Sequence, residues 1–215
     1  MKERPILFNG PMVRSILDGW KTQTRRVVKW PKWIDTDYDK KKCSEIINSN
    51  YYRSVVRRGC CDGVIGKFGS PYGIPGDRLW VRETCWYAGY AGGIALTNGT
   101  DTWRPNNFLP AEIWGSFRDK YSTKKCPSIF MPRWASRITL EITGVSIERL
   151  KDISAMDALS EGVGLDEEYD FDGYGIVSGI HSRLLFAELW NSINEKRGYS
   201  WCTNPWVWVV EFRVI

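Results

Sequence analysis

His181 is the only histidine in the chain, and the six cysteines (Cys43, Cys60, Cys61, Cys85, Cys126 and Cys202) contain no Cys-x-x-Cys. A zinc site needs clustered Cys and His at short spacing, so these residues argue against a structural zinc. A Ser-His-Asp or Cys-His mechanism would have to run on His181 as its single imidazole base, which makes nucleophilic catalysis of that type improbable. The cysteines are read as reduced and mostly buried, as in a cytosol. What remains is chemistry run on Lys, Glu, Asp, Ser, Thr, Tyr or Arg, with no cofactor expected.

The aromatic load is the second chemical signal: 12 Trp, 10 Tyr and 8 Phe in 215 residues. Such rings fill cores, and they also stack on nucleobases. Net charge is +5, from 30 basic and 25 acidic residues, which permits a polyanionic partner without demanding one. No stretch approaches the roughly 18 consecutive apolar residues of a bilayer crossing. The start, Met1-Lys2-Glu3-Arg4-Pro5, lacks the apolar run of a secretory signal. A cytoplasmic protein with no membrane partner is expected.

The elements that must position this chemistry are short. Ile6-Leu7-Phe8 reads as a strand and Asn9-Gly10-Pro11 as a turn opening a helix. Met12, Val13, Ile16, Leu17 and Trp20 follow at helical spacing on one inward face, and Gly19 is a stop. Trp20 to Val28 is a turn entering a strand. Leu79, Val81 and Glu83 share one face of a strand after the Pro75-Gly76 turn, with Trp80, Arg82 and Thr84 on the other. Ser136 to Ile142 alternates as a half-buried strand running on toward Val145 and Ile147. Ser154 and Asp157 form an N-cap signature for a helix Ala155–Glu161 that ends at Gly162. An acidic loop spans Asp166 to Asp172. Leu184, Leu185, Phe186, Leu189, Trp190 and Ile193 mark a longer amphipathic helix, and Trp206 to Val214 closes the chain as a strand. Short strands with few helices predict an α+β fold, a small mixed β-barrel. No internal repeat is present.

Two segments break the pattern and read as irregular insertions, at about 29–70 and 88–130. The first sets nine Lys and Arg against five Asp and Glu, with Trp30, Trp33, Tyr38, Tyr51 and Tyr52 interspersed. That mixture suits either a single-stranded nucleic-acid groove or a solvated loop anchored by its aromatics. The second is rich in Gly, Asn and Thr and holds Trp103 and Trp114.

Gly19-Trp20-Lys21-Thr22-Gln23-Thr24-Arg25-Arg26 resembles the Gly-x-Lys-x-x-Thr-x-Arg signature of the ASCH domain family, whose barrel is similar to the PUA RNA-binding fold. The Gly76-Asp77-x-Leu79 strand, the strand from Arg137, the helix ending at Glu161 and the closing strand come in the family's order. Met131-Pro132-Arg133-Trp134-Ala135-Ser136-Arg137 also resembles the longer ASCH proteins of bacteriophages and prophages. The resemblance covers residues 5–28, 75–86 and 131–215, as a single domain over 1–215. It implies a PUA-like barrel with short flanking helices and the two insertions. Some family members hydrolyse the amide of N4-acetylcytidine; their functional lysine, threonine and carboxylate match Lys21, Thr24 and Glu161.

On that carry-over, Lys21 works as a base only if burial or the neighbouring charge of Arg25 and Arg26 lowers its pKa. Neutral Lys21 would take a proton from Thr24 or from a water held by it, and Glu161, in an apolar setting, would protonate the departing nitrogen. Arg25 is a candidate oxyanion donor. In an ideal strand Lys21 and Thr24 face opposite sides, so they converge only if Lys21 still belongs to the helix exit or if Thr22-Gln23 turns. Other roles stay open: Lys21 as a phosphate contact, Thr24 as a plain strand residue, Glu161 as a solvated carboxylate. Glu83 is the rival carboxylate, read as a buried partner to Arg25 or Arg137. Arg133 and Arg137 form structural pairs or contact phosphate. Trp80, Trp206 and Trp208 are assigned to the core, and Trp20 to base stacking. The expected partner is a nucleoside or single-stranded nucleic acid, RNA before DNA. The competing classes are a non-catalytic RNA- or DNA-binding module and a nuclease using the same cleft.

Overall fold

A computed structural model describes residues 1–49, 54–58, 64–88, 108–110, 123–163 and 179–215. Ten strands and four α-helices are defined among them. The central sheet has five strands in the order β1-β5-β9-β10-β2: β1 (Glu3–Leu7), β5 (Arg78–Arg82), β9 (Thr139–Arg149), β10 (Trp206–Val214) and β2 (Gln23–Val27). Only β1 and β5 run parallel; the other pairings are antiparallel.

The fold is therefore mixed α+β around an open sheet, not the closed small barrel expected from the strand pattern. The strands β1 and β2 lie at opposite edges. A side chain, not a backbone ladder, bridges them: Arg26 Nη2 donates to the Leu7 carbonyl at 2.9 Å.

The apolar pattern explains the layers. On β10, Trp208, Val210 and Phe212 enter the main core with Ile6, Phe8, Leu79, Leu140 and Ile142. Val207, on the opposite face, enters a second core with Leu150, Ile153, Ala158, Phe186 and Trp190. A strand buried on both faces reads as a nearly continuous apolar run, as Trp206 to Val210 does. A register shift at Glu211/Phe212 frees the Phe212 N–H to donate to Thr22 O at 2.8 Å, which ties the entry of β2 to β10.

Helix α1 (Gly10–Leu17) starts where Asn9 Oδ1 accepts from the Met12 N–H and Pro11 sits in the first turn. Val13 and Ile16 are its buried residues. Leu17 and Trp20, expected on the inward face, are exposed, Trp20 at 58%. For Trp20 the reason is that α1 ends before it, where Gly19 adopts φ +80°; Leu17, in the last turn, lies off the buried stripe of Val13 and Ile16.

The segment 29–70 is not irregular. Helix α2 (Asp37–Asn48) begins at Thr36, whose hydroxyl accepts from the Asp39 N–H. Its consecutive Lys40, Lys41 and Lys42 mask a short buried stripe of Cys43, Ser44 and Ile47. A hairpin of β3 (Ser54–Arg58) and β4 (Val64–Gly69) follows. Its anchor is aromatic: Trp30 stacks on Phe68 at 4.9 Å and meets Trp206 edge-on at 6.0 Å. Tyr51 and Tyr52 lie outside the described residues.

Within 88–130, β7 (Phe108–Pro110) and β8 (Thr123–Cys126) flank β6 (Cys85–Ala88) in a three-stranded sheet, so this segment too carries regular structure. Trp103, Trp114 and the acidic loop lie outside the described residues. Helices α3 (Ala155–Ser160) and α4 (Gly179–Asn194) complete the set. Among the described residues, no helix is long and apolar enough to cross a membrane.

A candidate active site at the exit of the first helix

Lys21 belongs to the exit of α1, not to the strand. Trp20 N–H and Lys21 N–H both donate to Ser15 O at 2.9 Å, and Thr22 N–H donates to Ser160 O at 2.9 Å. The chain is thus pinned to α1 on one side and α3 on the other before β2 begins at Gln23. Lys21 therefore need not obey the facing rule of β2.

Glu161 arrives from the other direction. Ser154 and Asp157 close a capping box at the start of α3, Glu161 is its C-cap, and Gly162 at φ +81° ends it. Lys21 Nζ donates to Glu161 Oε2 at 2.7 Å and to the Glu161 carbonyl at 2.8 Å. The second bond satisfies a carbonyl that a helix end leaves without an intrahelical partner, where a cation is also electrostatically favoured. The ring of Phe8 lies 5.7 Å from the amine. Both side chains are shielded, 0% exposed for Lys21 and 4% for Glu161. Burial, more than the Arg26 and Arg25 charges, pushes the Lys21 pKa below the usual lysine range; Glu161 opposes the shift without cancelling it.

Arg25 extends the cluster. Its Nη1 lies 3.3 Å from Glu161 Oε1, and its Nε donates to Glu148 Oε1 at 2.8 Å. Gln23, on the same face of β2, donates to Asp157 Oδ1 at 2.9 Å. Burial raises the Glu148 pKa against the opposing Arg25 charge. Asp157 is lowered: burial alone would raise it, but hydrogen bonds from Gln23 and Ser154 outweigh that. Glu161 therefore stands between two cations, not in the apolar setting expected of it, and Arg25 is held by carboxylates instead of standing ready for an oxyanion.

Thr24 is fully buried on β2, and its Oγ1 has no hydrogen-bond partner. Arg26 lies over Phe8 at 5.2 Å, so Lys21 and Arg26 share one aromatic floor. Glu83 pairs bidentately with Arg137, at 2.8 and 3.0 Å, and not with Arg25. Arg133 binds Glu3 at 2.9 Å. These two pairs are distinct from the Lys21 cluster. Trp80 and Trp208 are buried, Trp206 is half-buried, and His181 is exposed on α4.

Sequence reasoning missed Phe8, Gln23, Glu148 and Asp157 as members of the cluster. Gln23 was legible from its i, i+2 relation to Arg25 in a strand, and Asp157 was read only as a cap. Glu148 lies one residue beyond Ile147, where the predicted strand stopped. Among the described residues, no group of three or more His, Cys, Asp or Glu is arranged to hold a metal. Comparisons with protein-family models, curated proteins and solved structures find no match.

Proposed function

We propose that this chain recognises a modified nucleobase and hydrolyses an N-acylated cytosine with its own side chains, as an ASCH relative whose sheet is an opened form of the PUA-like barrel, acting in a cytoplasm. The observation that carries this reading is the buried Lys21–Glu161 pair, joined at 2.7 Å, with burial lowering the Lys21 pKa. A neutral lysine is a general base, and a protonated carboxyl group bonded to it is the matching acid.

In the reaction, neutral Lys21 takes a proton from the attacking water, with the Thr24 hydroxyl holding that water. The oxygen adds to the acyl carbon. Glu161 then protonates the exocyclic nitrogen as the carbon–nitrogen bond breaks, releasing cytosine and the carboxylic acid. The ammonium of Lys21 returns its proton to Glu161 through their direct hydrogen bond, which resets the pair. No proton is gained or lost beyond those of the consumed water.

Purified protein incubated with N4-acetylcytidine, with acetate and cytidine followed by chromatography, tests the proposal. Wild type turns over, and Lys21→Ala loses about 10²–10⁴-fold, the usual contribution of a general base. Absence of wild-type turnover overturns it.

A non-catalytic nucleic-acid-binding module is the second reading, favoured by the exposure of Trp20 beside the cluster. In that version Lys21 and Glu161 only pin α1 to α3.

A further inference from the structure

We propose that the outer face of the β1/β5 edge, around Arg82 and Phe130, seats the nucleotides flanking the target base in a single-stranded polynucleotide. The inference rests on the nucleobase reading above and names the form in which the base is presented.

Register and alternation build this face. Glu3, Pro5 and Leu7 of β1 pair with Arg78, Trp80 and Arg82 of β5, while Ile6, Leu79 and Val81 point to the core. Trp80 is buried beneath two guanidiniums, Arg82 at 4.6 Å and Arg133 at 5.9 Å from its ring. Arg82 Nη1 donates to the Ile129 carbonyl at 3.2 Å, and the side chains of Ile129 and of the next residue, Phe130, are exposed, the latter at 73%.

The charges do not balance. Arg133 and Arg78 share Glu3, at 2.9 and 4.0 Å, and Arg213 takes Glu141, Arg78's register partner on β9, at 2.8 Å. Four arginines thus meet two carboxylates. Arg82 is the one left over: among the described residues it pairs with no carboxylate, and its buried Nε has no hydrogen-bond partner. An unneutralised guanidinium fixed over an indole suits a phosphate, and an adjacent exposed phenyl ring suits an unstacked base. A duplex hides its base faces, and an acidic peptide supplies the charge without the rings.

The face also leads to the candidate site. Leu7 is the register partner of Arg82, its carbonyl holds Arg26, and the next residue, Phe8, is the floor beneath Lys21.

Fluorescence anisotropy with labelled oligouridylate and oligodeoxythymidylate, each roughly twelve nucleotides long, tests this in wild type, Arg82→Gln and Phe130→Ala. Each variant is expected to bind about ten-fold more weakly. The slope of log affinity against log salt becomes shallower by about 0.7 in Arg82→Gln and stays unchanged in Phe130→Ala. Thermal melting checks both folds, and the exposed Phe130 keeps the test decisive if Arg82→Gln is unstable. Wild-type affinity in both variants, or no binding by wild type, overturns the proposal. So does sedimentation showing that Phe130→Ala splits a dimer while oligonucleotide affinity is unaltered. Nucleoside turnover separates the two readings: hydrolysis with Arg82-independent binding removes this surface alone. Arg82-dependent binding without hydrolysis removes the chemistry and leaves the surface.

Discussion

Lys21 Nζ stands 2.7 Å from Glu161 Oε2 although 140 positions separate the two residues. The contact joins the exit of α1 to the C-cap of α3, with both side chains buried. Taking two charges out of water costs several kcal/mol each, and their attraction returns that only with good geometry and further hydrogen bonds. Here the further bonds exist, from Lys21 to the Glu161 carbonyl and from Arg25 to the second carboxylate oxygen. The pair is thus a positioning device whose charges depend on one another.

Breaking the pair one side at a time exposes that dependence. Lys21→Met leaves Glu161 with Arg25 as its remaining cation, and Glu161→Leu leaves a buried ammonium; each should destabilise the fold by about 3–5 kcal/mol. The double variant should lie much closer to wild type than the sum of the singles, since two apolar side chains replace two dependent charges. Urea unfolding of the four proteins measures the coupling. Simple additivity would show that the pair is not coupled.

The pH dependence follows from the same burial. The folded Lys21 pKa lies below the ordinary 10.5, so between the two values the unfolded chain holds more proton and unfolding free energy rises with pH. Wild type should therefore gain stability relative to Lys21→Met as pH climbs toward 10.5. Glu148 runs the other way: its folded pKa is raised above 4.5, so its contribution is full below 4.5 and is lost as pH rises through the folded value. Glu148→Gln should remove that acidic-side slope. Under the proposed chemistry the working pair holds one proton, neutral Lys21 beside protonated Glu161, so kcat/KM falls on the alkaline side as the pair loses that proton, below the ordinary lysine value of 10.5. Denaturation midpoints and initial rates across pH check both signs.

The closing strand was legible to the residue, because Trp206 to Val210 is apolar on both faces and Glu211 to Val214 continues as polar–apolar alternation. The capping box was legible because Ser154 and Asp157 are local partners. Sheet closure was not, since whether β1 and β2 share a ladder depends on long-range geometry that alternation does not encode. Helix α2 hid behind three consecutive lysines whose burial partners lie on the distant β9. In the candidate site, Glu161 was legible beside Lys21 through the resemblance, and Gln23 beside Arg25 through the strand they share. The carboxylate Glu148 joins from across the fold, and nothing local marks it.

Two glycines give a controlled comparison. Gly19 and Gly162 have nearly the same backbone angle, φ +80° and +81°, but a Cβ at Gly19 meets nothing within 4 Å. At Gly162 it would meet Ser15 Cβ at 2.9 Å and Lys21 Cβ at 3.2 Å. Gly19→Ala should cost about 1–2 kcal/mol, the strain of a left-handed alanine. Gly162→Ala should cost roughly 1–3 kcal/mol more, because overpacking adds to the strain. It should also depress turnover by displacing Glu161 and Lys21. Equal losses in the two variants, read by thermal unfolding, would mean that the Gly162 contact carries no weight.

Thr24→Val separates structure from chemistry most cleanly. The hydroxyl is buried and unpartnered, and valine preserves the branched shape that β2 packs around. Burying a hydroxyl without a hydrogen bond costs about 1–3 kcal/mol, so its removal should leave stability unchanged or raise it by up to about that amount. A merely structural threonine therefore predicts a protein at least as stable and fully active. A threonine that holds the attacking water predicts the same stability with turnover of N4-acetylcytidine reduced about 10²-fold or more. Melting temperature and kcat, measured on one preparation, decide between them: a stable and active variant assigns Thr24 to the strand alone.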